Sequence, residues 1–269
     1  MPALLFDLDG TLADTKPDLH AAMNHVLTKN NLAEVPDDAI TNMIGGGARE
    51  ILKRGLSENG TSWDDATLDS ATEEFVLWYD QNIDAHTTIY PNLLPVLQAA
   101  QAGHIKMAVV TNKRESLSAK LLFRLGLHDY FDVLVGGDTL PKRKPDPDTI
   151  ELALQCLGVP PQEAIMVGDS EADTGGAIAA NVASICVSFG YRRVSLEELQ
   201  ADVIIDDSQE TEKTWDELYE EWVQNPEPYG GLDVLQQIRV AKETGATELS
   251  FYNNNISDIT PLAGLTNLT

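Results

Sequence analysis

Apolar and polar positions along this chain alternate between two periods. Short, nearly continuous apolar runs at 3–7, 105–110, 131–135, 164–168 and 183–187 end in Asp, Thr or Gly and alternate with longer segments of helical spacing. Runs with so few polar interruptions suit strands covered on both faces. The pattern therefore predicts an α/β fold, a doubly wound, Rossmann-like parallel sheet with flanking helices.

Residues 15–84 break the alternation. Segments 17–32, 37–43, 48–57 and 63–82 all carry helical periods with few strand signals between them, which predicts an all-helical insertion. Tyr90-Pro91 marks re-entry, and 92–102 followed by Gly103 predicts a helix closed by glycine. The expected organisation is a core of 1–14 and 85–207, a helical cap of 15–84, an acidic helix and linker over 208–231, and a last segment over 232–269. In that last segment a helix over 232–244 precedes Leu249, Phe251, Asn254, Ile256, Ile259, Leu262, Leu265 and Leu268, which fall on a leucine-rich-repeat pattern. A single repeat cannot bury its own apolar face, so 232–269 is expected to pack poorly; a longer array would offer a surface for a protein partner.

Charge narrows the function. The 43 acidic and 18 basic residues give a formal net charge of -25, which repels nucleic acid and anionic membranes. Cys156 and Cys186 lack metal-ligand spacing and are expected to be two buried reduced thiols. The start of the chain shows neither a basic leader nor a long apolar run, so the expected location is cytoplasmic, with no membrane span.

In an open parallel sheet, ligands sit beyond the carboxyl ends of the strands. Here those ends read Asp7-Leu8-Asp9-Gly10-Thr11, Val110-Thr111-Asn112-Lys113 and Val167-Gly168-Asp169-Ser170-Glu171-Ala172-Asp173, with Lys142-Arg143-Lys144-Pro145 between the last two. Asp7 is a candidate nucleophile, because a carboxylate can attack phosphorus and divide one hard displacement into two. Asp9 is the candidate acid and base, since crowded carboxylates resist joint ionisation. Thr111 and Asn112 offer phosphoryl contacts, or an N-cap, and Lys144 offers a compact positive charge for the transferred group. Asp169 is a candidate magnesium ligand alongside the Asp7 side chain and the main-chain carbonyl of Asp9, or a cap of the helix that follows, whereas Asp173 is expected to support Lys144, its alternatives being a ligand through water or that same cap.

These four motifs, in this order, resemble those of the haloacid dehalogenase superfamily over residues 3–207, and the stretches from Val135 to Pro147 and from Ile44 to Arg49 resemble its phosphoglycolate phosphatase branch. The resemblance implies a Mg2+-dependent phosphatase acting on a small anionic phosphorylated substrate. It also implies that the Gly45-Gly46-Gly47 turn and Arg49 meet a substrate carboxylate, although the branch commonly has Asn where Gly46 stands. Lys113 joins the expected substrate contacts. Of the 18 basic residues, Arg49, Lys113, Arg114, Lys142, Arg143 and Lys144 fall in these motifs, and are expected to form a positive funnel for an anion. The competing readings are the same chemistry on a sugar phosphate, nucleotide or pyrophosphate, and a non-catalytic interaction protein bearing the repeats.

Other features carry no expected chemistry. His20, His25, His86, His104 and His128 lack partners at ligand spacing. Trp63, Phe75, Trp78 and Tyr79 recur near helical spacing and are expected to be cap core.

Overall fold

The structure is a computed structural model that describes residues 2–205, 215–224, 226–227 and 231–244. The chain divides into two compact units, Met1–Ser208 and Gln209–Thr269.

In the first unit, β1 (Ala3–Phe6) leads through a turn to β2 (Ala13–Asp14) and then into four helices, α1 (Lys16–Lys29), α2 (Asp37–Ile40), α3 (Ala48–Glu58) and α4 (Asp65–Gln81). The chain returns through β3 (Thr88–Ile89) to α5 (Leu93–Ala102), β4 (Lys106–Val110), α6 (Glu115–Arg124), β5 (Val133–Val135), α7 (Asp148–Leu157), β6 (Ala164–Gly168), α8 (Glu171–Ala179), β7 (Ala183–Val187) and β8 (Val203–Ile205). Six strands form one parallel sheet in the order β5-β4-β1-β6-β7-β8. Alternate residues of the central strands serve opposite faces, as a pleated backbone requires. Leu5, Ala108, Val110 and Met166 pack with α7 on one face, while Phe6, Met107 and Val109 belong to the cluster that continues into the helical insertion.

The helices follow local rules. Pro17 stands in the first turn of α1, where its missing N–H costs nothing, and Asp64 caps α4 by accepting from the Thr67 N–H at 2.9 Å. In α3 the buried residues Ile51, Leu52, Gly55 and Leu56 form the expected stripe.

The two passages between sheet and insertion are tied together, a feature the sequence pattern did not predict. Ala13 and Asp14 pair antiparallel with Ile89 and Thr88. The buried Asp18 carboxylate accepts from the His86 N–H, the Thr87 N–H and the Thr87 hydroxyl. Strands of two residues have no detectable period, which is why both were missed. Strand β8 was missed for a similar reason, being a three-residue edge strand exposed throughout.

Two further expectations change. Cys186 is buried but Cys156 is exposed, because the buried positions of α7 are Thr149, Ile150, Ala153, Leu154 and Leu157, and residue 156 falls off that stripe. In the second unit, α9 (Trp215–Gln224) and α10 (Leu232–Thr244) form around Tyr219, Trp222 and Leu235. Val234, Leu235, Ile238 and Ala241 of α10 are buried, so the expectation of poor packing does not hold for 232–244. The leucine-rich-repeat positions from Leu249 to Leu268 lie outside the described residues. Among the described residues no helix is long and apolar enough to cross a membrane.

Candidate active site

Register puts the motif residues on one edge. Phe6 is level with Val109 of β4 and Val167 of β6, so Asp7, the end of β4 and the end of β6 emerge side by side. The Asp7 N–H still donates to the Val167 carbonyl at 2.9 Å, which anchors this residue as the sheet runs out. Asp7 Oδ1 is buried, lies 3.1 Å from Lys144 Nζ and takes no well-aligned hydrogen bond.

Lys144 is buried between two carboxylates, with Asp173 Oδ1 2.6 Å from its ammonium on one side and Asp7 on the other. Its Nζ also donates to the Val110 carbonyl at 2.5 Å. Burial alone would lower its pKa, but the Asp173 and Asp7 charges outweigh it and hold the pKa up. The Lys144-Pro145 peptide is cis. Asp173 makes two sets of contacts. Its Oδ2 accepts from the Ser170 N–H and hydroxyl in a capping box at the start of α8, while Oδ1 supports Lys144.

Asp169 is held from three sides. Its Oδ1 accepts from the Thr11 hydroxyl at 3.0 Å and its Oδ2 from the Tyr191 N–H at 2.5 Å, while Gly10 and Gly190 press on the carboxylate. A Cβ at Gly190 would lie 2.1 Å from Asp169 Cβ, and one at Gly10 would lie 2.5 Å from Oδ2. Gly10 moreover has φ of 86°, a conformation side chains resist.

Asp7, Asp169 and Asp173 each offer a carboxylate oxygen, and these oxygens lie within 4.8 Å of one another. Asp7 is pushed up to about 6, chiefly by burial, with Lys144 opposing the rise and the Asp173 and Asp9 charges adding to it. Burial, Asp173 and Asp7 likewise raise Asp169 well above the usual carboxylate range. Carboxylates this crowded, against one lysine, suit a hard divalent cation with oxygen ligands.

Asp9 turns away from that cluster. Its Oδ1 accepts from the Thr15 hydroxyl and from Lys113 Nζ, both at 2.8 Å. Lys113 is buried, and Asp9 and Tyr79 raise its pKa against the opposing effect of burial. Thr111 is buried, with Oγ1 accepting from the Lys113 N–H at 3.3 Å. Asn112 donates its Nδ2 to the Lys144 carbonyl at 2.9 Å, and its buried Oδ1 has no hydrogen-bond partner among the described residues.

Above these residues lies a cavity of about 660 Å³, walled by the strand ends, by α4 and by the Gly45-Gly46-Gly47 turn. The turn docks on the sheet side, where Arg143 donates to the Gly46 carbonyl at 2.7 Å. A Cβ at Gly47 would lie 2.8 Å from the Arg143 guanidinium. Arg49 lines the cavity, but its guanidinium is engaged by Asp65 at 2.6 Å and Asp69 at 2.8 Å. The expected positive funnel is mostly neutralised. Arg114 pairs with Glu73, Lys142 pairs with Asp146, and only Lys113 and Lys144 are cations buried within the motif cluster. In a chain this acidic, exposed cations find carboxylates nearby; the two buried ones are held by site residues.

Residues 4–187 match the family model of the haloacid dehalogenase-like hydrolases. The chain belongs to that family. Among similar proteins, a phosphoglycolate phosphatase of Agrobacterium fabrum is 41% identical over 206 residues, 77% of this chain and 88% of that protein. Another, of Caulobacter vibrioides, is 36% identical over 202 residues, 75% and 85% of the respective chains. A solved structure from Haemophilus somnus, described as a predicted phosphoglycolate phosphatase, superposes with a TM-score of 0.71 at 27% identity, covering 77% of this chain and 94% of its own.

Sequence reasoning about this hydrolase missed Thr15, Gly190 and Tyr191 as parts of the site, missed the contacts that Thr11 makes with Asp169 and Arg143 with the Gly46 carbonyl, and assigned Tyr79 no chemistry. Thr11 ends the first motif and Thr15 follows it closely, and both were open to discovery as hydroxyls beside carboxylates. Gly190 and Tyr191 had no such signal, since a loop after β7 reaches Asp169 only through the fold. Tyr79 was read as cap core, and its ring is buried; its hydroxyl, however, accepts from Lys113 Nζ at 2.9 Å.

Proposed function

We propose that this chain is a magnesium-dependent phosphomonoesterase whose nucleophile is Asp7 and whose substrate is 2-phosphoglycolate. The observation that carries the reading is the placement of Asp7 at the end of the central strand, beside Lys144 and within reach of Asp169, facing the cavity. The similarity to phosphoglycolate phosphatases over most of their length supports the substrate.

A bound magnesium ion would be held by the Asp7 and Asp169 carboxylates and the main-chain carbonyl of Asp9, and would neutralise charge on the phosphoryl oxygens. Asp7 attacks phosphorus, forming an O–P bond to its carboxylate as the bond to the substrate oxygen breaks. Asp9 gives its proton to that departing oxygen. Both hydrogen bonds to its carboxylate fall on Oδ1, which leaves Oδ2 to carry the proton. Water then attacks the aspartyl-phosphate, Asp9 takes the proton back, and inorganic phosphate leaves with Asp7 restored. Thr111 and Lys144 stabilise the transferring group by hydrogen bond and charge.

Substrate choice is tested by phosphate release from 2-phosphoglycolate beside sugar phosphates, nucleotides, pyrophosphate and p-nitrophenyl phosphate, with magnesium and with chelator. The greatest kcat/KM is expected with 2-phosphoglycolate and no release with chelator. Arg49→Ala is expected to lower kcat/KM for 2-phosphoglycolate about tenfold and to leave the aryl ester, which has no carboxylate, nearly unaffected. A second reading, the same chemistry on a substrate without a carboxylate, is favoured by the Arg49 pairing with Asp65 and Asp69. Equal losses on both esters would select it.

Gly190→Ala tests the metal assignment. The added Cβ forces Asp169 aside, and the magnesium concentration for half-maximal activity is expected to rise about 10- to 100-fold. An unchanged magnesium titration would remove Asp169 from the ligand set.

A further inference from the structure

Tyr79 sits in the last turn of α4, outside every catalytic motif, and its ring is buried against Phe75 one turn earlier, with centroids 6.3 Å apart. A buried phenol needs a partner for its oxygen. The partner here is Lys113 Nζ, 2.9 Å from the hydroxyl and 4.3 Å from the ring centroid. The same ammonium donates to Asp9 Oδ1 at 2.8 Å. The result is a chain from a helix of the insertion, through a core lysine, to the carboxylate that handles the proton.

We propose that Tyr79 is a positioning residue for the reaction: it seats the Lys113 ammonium, which with Thr15 fixes the Asp9 carboxylate so that Oδ2 faces the leaving oxygen. Thr15 reaches Asp9 from the N-cap of α1, at one end of the insertion, while Lys113 comes from the end of β4 and is seated by Tyr79 from the other end of the insertion. Lys113 has a long, rotatable stem, and a buried ammonium settles wherever its acceptors stand. Without the tyrosine oxygen it has Asp9 and the aromatic face alone, and it is free to slide toward the cavity. Asp9 then loses the register of one of its two anchors, and a small displacement of a proton donor is enough to slow transfer.

The inference rests on the phosphatase reading above, and its test separates the two. The enzyme is assayed in the presence of magnesium as wild type, Tyr79→Phe, Lys113→Met and the double variant, on 2-phosphoglycolate and p-nitrophenyl phosphate. The comparison uses kcat/KM, which reports steps through departure of the leaving group. An alkoxide leaving group needs the Asp9 proton and a nitrophenolate does not. Tyr79→Phe is therefore expected to lower kcat/KM about tenfold on 2-phosphoglycolate and less than about threefold on the aryl ester. In the Lys113→Met background the same change is expected to have no further effect, because its route to Asp9 is gone. Thermal melts of each variant confirm folding. Equal losses on the two substrates, or losses that multiply in the double variant, overturn the positioning role while leaving the phosphatase intact. Wild type without magnesium-dependent turnover on either ester overturns both.

Discussion

Asp7→Asn is expected to lower phosphate release by about 10⁴-fold or more on every substrate, without loss of fold. The carboxamide keeps the shape of the side chain but offers no anionic oxygen to attack phosphorus. Its structural consequences are mild. Lys144 retains Asp173 at 2.6 Å, and one charge leaves a buried trio whose mutual repulsion helps raise Asp7 to about 6 and raises Asp169 as well. The melting temperature is expected to hold or rise slightly while activity disappears. Residual magnesium-dependent turnover within about tenfold of wild type would assign the nucleophile elsewhere.

The second large effect is on stability. Asp173→Ala strips the buried Lys144 of its nearest counter-charge and leaves the N–H and hydroxyl of the half-buried Ser170 without their acceptor. Removing one partner of a buried ion pair costs about 3–5 kcal/mol, because the remaining charge stays out of water. Urea unfolding is expected to show that loss as a lower midpoint with an unchanged slope. A loss below about 1 kcal/mol would mean that Asp7 alone suffices to neutralise Lys144, and that Asp173 serves mainly as a helix cap. Activity is expected to fall as well, since Lys144 is then free to move off the nucleophile.

These two predictions draw on residues visible in the sequence, and their contrast shows what the fold added. Asp7 and Asp173 both stood out as acids beyond strand ends with different expected roles, and the packing adds their surroundings: Asp7 lines the cavity 3.1 Å from Lys144, while Asp173 lies 2.6 Å from Lys144 and at the start of α8. The basic residues show the reverse. Six cations looked like one funnel along the chain, but Arg49, Arg114 and Lys142 turn to nearby carboxylates, while Lys113 and Lys144 are drawn into the site. Charge counted along a sequence cannot show which partner a flexible side chain meets first.

The sequence by itself determined the parallel sheet, the helical insertion and the identities of the acids and lysine at the strand ends. Short continuous apolar runs rich in Val and Ile and bounded by turn residues suit strands covered on both faces, and a parallel sheet delivers every strand's carboxyl end to one edge. The tertiary structure alone decided what surrounds those groups. Thr11 and Tyr191 brace Asp169, Arg143 holds the Gly46 turn against the sheet, and Tyr79 reaches Lys113 from a helix of the insertion. Each of these contacts joins segments that are separated in sequence and meet only in the folded chain. Periodicity reports which face of an element is buried; it carries no record of the polar atom at the tip of a buried side chain, and here that atom connects the insertion to the chemistry.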